Sequence, residues 1–191
     1  MRNLVIGVIV GILILPVFAY FYIKGGHMPV AAVDNPMPFE KFLAKGSLRA
    51  RIQKEAPQRD AKEFTPADLV IGAQIYQRDC VFCHGSPQQT PFEGARGMFP
   101  RPPRLFTDEM VTDDPLGQTY WVVRNGIRLS GMPGFKEALS DQQIWQISAL
   151  LARADKLPPE VIDSFRAAAA GLPVLTSPAA PVPAAAAPPQ H

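Results

Sequence analysis

The chain has 191 residues, 47% of them hydrophobic and 19% charged, which is enough apolar material for one real core and excludes wholesale disorder. A formal net charge of +2 is too small for a nucleic-acid binder. Two cysteines, three positions apart, exclude a disulfide-stapled scaffold.

Residues 3–23 (NLVIGVIVGILILPVFAYFYI) carry no charge and are bounded by Arg2 and Lys24. As a helix this run spans about 31 Å at ~1.5 Å per residue, the thickness of a hydrocarbon core. Gly7, Gly11 and Pro16 weaken a helix in water but are tolerated in a membrane. Tyr20 and Tyr22 sit near the outer end, where aromatic rings favour the interface. The competing reading is a cleaved signal peptide, with Val30-Ala31-Ala32 as the cleavage site. A secretory apolar region usually runs about 7–15 residues, so the length favours an uncleaved transmembrane anchor over residues 1–24.

Residues 25–63 form a polar spacer. Between Met37 and Lys62 seven basic residues face three acidic ones. Phe39, Phe42, Leu43, Leu48 and Ile52 make only an irregular apolar face, interrupted by Gly46 and closed by Pro57. The segment is expected to be solvated, with short helices. A basic stretch lying on anionic lipid is the alternative.

The globular domain is expected over residues 64–157. Thr65-Pro66-Ala67-Asp68 opens a helix, with Thr as N-cap, Pro at the first helical position and an acid in the first turn. Leu69, Gly72, Ala73, Ile75 and Tyr76 follow at helical spacing up to Cys80. Ser140 caps a second strong helix, SDQQIWQISALLAR, and a third is expected near 116–125. No segment alternates like a strand, so the domain is expected to be all-α. Residues 158–191 are rich in Pro and Ala and are expected to form a disordered tail.

Cys80-Val81-Phe82-Cys83-His84 is a c-type haem attachment pattern. Two thiols separated by two residues on a helical turn each reach a vinyl group on one porphyrin edge. The histidine that follows lies under the ring and places an imidazole nitrogen on the iron. Three other readings compete. A thioredoxin-like redox pair needs a βαβ context, which is missing. Zinc needs a fourth ligand, and the other histidines are His27, beside the apolar run, and His191, in the tail. A structural disulfide at this separation is short and strained. One covalently attached haem c is therefore expected, with His84 on the metal.

For the sixth position, Met132 stands in Ser130-Gly131-Met132-Pro133-Gly134-Phe135, a tight loop able to press a thioether onto iron. Met98, in a Gly-Met-Phe-Pro setting, is the rival. Arg96, Arg101, Arg104, Arg128, Tyr120 and Trp121 are candidate partners for the haem propionates.

CVFCH, the upstream Gly72-Ala73-Gln74-Ile75-Tyr76 helix, Asn125-Gly126-Ile127-Arg128-Leu129-Ser130-Gly131-Met132-Pro133 and the following LSDQQIWQISALL helix resemble class I c-type cytochromes of bacterial respiratory chains. The resemblance covers roughly residues 65–155. It implies a haem enclosed by helices, the first crossing the last, with Gly72 and Tyr76 packed against Trp145 and its neighbours. It also implies a loop proline whose carbonyl orients the proximal imidazole, for which Pro100 is the candidate among Pro100, Pro102 and Pro103.

The function expected is electron transfer by a membrane-anchored monohaem cytochrome. Its haem, ligated by His84 and Met132 and attached through Cys80 and Cys83, faces the periplasmic side of a bacterial inner membrane. Its partners would be other redox proteins, steered only mildly, since residues 60–156 hold ten basic and twelve acidic groups. The alternative is a fixed haem subunit of a larger respiratory or dehydrogenase complex. A haem enzyme or gas sensor needs an open axial position and a distal acid–base pair, and no second histidine stands in the domain. No catalytic residue is assigned.

Overall fold

The computed structural model describes residues 1–107 and 110–171, and among these every regular element is helical. The chain divides into two units, Met1–Leu43 and the segment from Ala44 onward. In the first, α1 (Arg2–Lys24) is long and apolar, with mean hydropathy 2.8 over its best window and no buried residue. Its end is closed by the Gly25 N–H bonding back to the Phe21 carbonyl at 2.8 Å. The helix α2 (Glu40–Glu55), which belongs to the second unit from Ala44 on, begins where the Glu40 carboxylate accepts the Met37 N–H at 2.9 Å.

In the second unit, α3 (Pro66–Asp79) runs into the one-turn α4 (Val81–His84), and α5 (Leu116–Asn125), α6 (Asp141–Leu151) and α7 (Pro159–Ala169) complete it. Both strong helix starts expected from sequence form full capping boxes, Thr65 with Asp68 and Ser140 with Gln143. The core is the crossing of α3 and α6. A Cβ at Gly72 would stand 2.4 Å from the Gln146 carbonyl oxygen, so only glycine allows this approach. Every residue of α6 from Ile144 to Leu151 is buried. The two polar side chains among them are satisfied: the Ser148 hydroxyl donates to the Ile144 carbonyl, and the Gln146 amide donates to the Asp68 carboxylate at 2.9 Å.

The aromatic packing differs in detail from expectation. Gly72 meets Gln146 and Ile147, whereas Tyr76 packs edge-on to Phe106 and Phe165, and Trp145 stacks on Tyr120 at 4.0 Å. Tyr76 and Trp145 thus serve the α3–α7 and α5–α6 contacts.

Two stretches read as peripheral belong to the folded unit. The chain after residue 158, expected to begin a disordered tail, instead forms α7. Val161 and Phe165, four apart, are 0% and 1% exposed against α3. Its Pro158-Pro159 start is a helix signal, because a proline at the first helical position has no intrahelical N–H to lose. The remainder of that Pro/Ala-rich tail, residues 172–191, lies outside the described residues. The spacer's second half also packs down. Arg153 donates to the carbonyls of Ala61 (2.7 Å) and Phe64 (3.3 Å), and the Arg59 guanidinium lies 4.6 Å from the Phe64 ring centre.

Replacing Phe165 by Ala should cost about 3–5 kcal/mol in chemical denaturation, the cost of emptying a core aromatic site, and a disordered segment would show nothing. The Asp68 carboxyl is held below the usual aspartate range, first by the Gln146 amide and then by the Thr65 hydroxyl. A lowered folded pKa means that this contribution is complete above the unfolded value of about 4 and vanishes as pH falls through the folded value. Asp68→Ala should therefore be about 1 kcal/mol less stable than wild type at pH 7, with the gap narrowing below about pH 4.

Candidate functional site

The α3 helix ends at Cys80, whose carbonyl accepts both the Cys83 and the His84 N–H, at 3.1 and 3.0 Å. This single turn brings both cysteines and His84 together. Gly85 stops it in the left-handed region (φ 69°), where a side chain would also meet the Gln89 carbonyl. The buried Tyr76 hydroxyl donates to the Gly85 carbonyl at 2.8 Å, pinning the turn to the core. Burial raises the Tyr76 phenol well above its ordinary pKa, so it remains a donor.

Cys80, Cys83, His84, Met98 and Met132 all face one cleft of about 290 Å³ whose walls are mainly apolar. His84 Nδ1 lies 2.8 Å from the Pro103 carbonyl oxygen. A carbonyl only accepts, so Nδ1 carries the proton and Nε2 keeps its lone pair free for a metal. Burial lowers the His84 pKa, partly offset by this bond, which favours the neutral ring that a ligand requires. The orienting carbonyl is therefore that of Pro103 and not of Pro100, which lines the cleft without making this bond. Three prolines in four positions look alike in sequence, and only the path of the loop separates them.

Burial, with Asp79 nearby, pushes the Cys80 thiol up to about 12. This is the reverse of a redox-active thiol, whose pKa is lowered. Among the described residues no group of three His, Cys, Asp or Glu is gathered to hold a bare ion.

The Met132 loop is tightly determined. The Met132 carbonyl accepts the Ile127 N–H at 3.1 Å, the Ser130 hydroxyl accepts the Met132 N–H at 3.2 Å, and the Phe135 N–H returns to the Val123 carbonyl at 3.0 Å. At Gly126 (φ 69°) a Cβ would fall 2.5 Å from the Gly134 nitrogen and 2.8 Å from the Met132 carbonyl oxygen. Met98 sits against the same loop, its methyl lying where a Gly131 side chain would begin.

Of the candidate propionate partners, Arg101 lines the cleft. Tyr120 and Trp121 do not suit that role. The Tyr120 hydroxyl donates to Asp141 at 2.7 Å, and the Trp121 indole donates to Glu55 at 3.1 Å. Ile52 also lines the cleft, although it comes from the segment read as spacer. Its sequence signal is one apolar residue between polar neighbours, too slight to assign.

A preformed cysteine pair, an imidazole with a free nitrogen and a thioether, all facing an apolar cleft, is the donor set of a covalently held haem. Residues 67–151 match the family model described as cytochrome c oxidase, cbb3-type, subunit III. This part of the chain is a c-type cytochrome domain. Such a domain holds haem c covalently and carries electrons to and from redox partners. The comparison with curated proteins finds no match.

Gly126→Ala in this cytochrome domain should cost about 1–3 kcal/mol in thermal unfolding, because it adds both strain and a clash under the Met132 loop. Gly97→Ala, where nothing stands within 4 Å, should stay within about 0.5 kcal/mol of wild type.

Proposed function

We propose that the chain is a membrane-anchored monohaem cytochrome that transfers electrons in a bacterial respiratory chain. In this reading Cys80 and Cys83 would form the thioether links, and His84 and Met132 would hold the iron. The observation that carries the reading is the convergence of these four side chains on one apolar cleft. A bound haem supplies a one-electron couple at the iron. The protein supplies orientation and environment: Pro103 holds the His84 ring, the Met132 loop presents a soft thioether that favours ferrous iron, and the apolar walls exclude water. No protonatable side chain is needed for the transfer itself. The α1 helix serves as the anchor, supported by its length and hydropathy, with the domain on the periplasmic side, where covalent haem attachment takes place.

A second reading is favoured by the family match, since the matched model describes a subunit of an oxidase. There the chain is a fixed haem subunit of a larger complex, and the proteins that remain with it after gentle solubilisation decide between the two.

Met132→Ala should lower the reduction potential, abolish the weak far-red band of iron–sulfur bonding in the oxidised protein and allow carbon monoxide to bind. Met98→Ala should retain the band. Loss of the band in the Met98 variant with retention in the Met132 variant would reverse the ligand assignment.

A further inference from the structure

The family match begins at residue 67 and leaves α2 outside it. Yet Ile52 of α2 is a wall of the cleft. It is the buried residue of that helix, 9% exposed, while its neighbours Arg51 and Gln53 are exposed. It also stands apart from the contiguous core around α3 and α6. Its burial is spent on the cleft.

A hydrogen bond and a close backbone contact tie the end of α2 to the domain. Glu55 accepts the Trp121 indole N–H at 3.1 Å, and Arg51, paired with Glu55 at 2.5 Å, fixes the carboxylate. Two residues on, the Pro57 carbonyl rests against Gly117, where a Cβ would lie 1.7 Å from its oxygen. Both anchoring points are on α5, whose Gln118, Thr119 and Val122 line the same cleft. An apolar side chain covering that stretch keeps water from the iron. A low-dielectric surround favours the reduced iron, which carries one positive charge fewer than the oxidised form.

We propose that α2 is a wall of the haem site: Ile52 shields the cleft beside α5, the Glu55–Trp121 bond holds it there, and the reduction potential depends on this cover. The proposal rests on the haem reading above, and it makes α2, which precedes the family-matched segment, part of the redox centre.

The test uses the full-length haem protein in detergent. Redox titration should show a lower potential in Ile52→Ser and a nearly unchanged one in Ile52→Leu, with helical circular dichroism retained in both. Limited trypsin cleavage after Arg49, Arg51 and Lys54 should be about tenfold faster in Trp121→Phe, the factor expected for losing one hydrogen bond to a charged group. In Glu55→Gln, which keeps an acceptor for the indole N–H but loses the charge and the Arg51 pair, the rate should fall between wild type and Trp121→Phe. A wild-type potential in Ile52→Ser would overturn the shielding role. Equal cleavage of α2 in wild type and Trp121→Phe would overturn the docking. Wild-type protein without haem on a denaturing gel would overturn the haem reading beneath both, and is scored separately.

Discussion

The close crossing of α3 and α6 governs everything downstream of it. Gly72 lets the backbone of α3 lie against the Gln146–Ile147 peptide, and no side chain fits between them. Because α3 ends at Cys80, the placement of the cysteine turn follows from that crossing. Tyr76, one turn after Gly72, then ties Gly85 to the core, so the turn carrying both cysteines and His84 is held at its start and its end. A residue far from the cleft thereby positions the chemistry within it.

The cleft itself is built from segments with little regular structure. The loop carrying Pro100–Pro103 supplies the carbonyl for His84, and the Gly126–Gly134 loop supplies Met132. The Met132 loop is fixed by backbone hydrogen bonds to the end of α5 and by glycines that admit close approach. Burial lowers the pKa of His84, which favours the neutral ring.

The folded unit is larger than its family-matched segment. On the N-terminal side, Ile52, Pro57, Arg59 and Ala61 add contacts to α5, α6 and the cleft. On the C-terminal side, α7 buries Val161 and Phe165 and completes the aromatic cluster with Tyr76 and Phe106. Val161 and Phe165 join the contiguous core, whereas Ile52 serves the cleft.

The sequence by itself determined the helical class, the N-caps Thr65 and Ser140, a helix near 116–125 and the grouping of Cys80, Cys83 and His84 as candidate site residues. These are legible because each rests on local chemistry: an N-cap, a helical period, or ligand types at a short spacing. Tertiary structure alone decided which proline carbonyl meets His84, which aromatic rings meet Tyr76, and that Tyr120 and Trp121 spend their donors on Asp141 and Glu55. It alone decided that Ile52 and α7 belong to the folded unit. In each of these cases the partner is distant in sequence: Pro103 from His84, Trp121 from Glu55, Phe165 from Tyr76. Composition misled at the C-terminal side, where prolines counted as breakers are the start of a helix. Local rules see the shape of a segment, and only packing shows what lies against it.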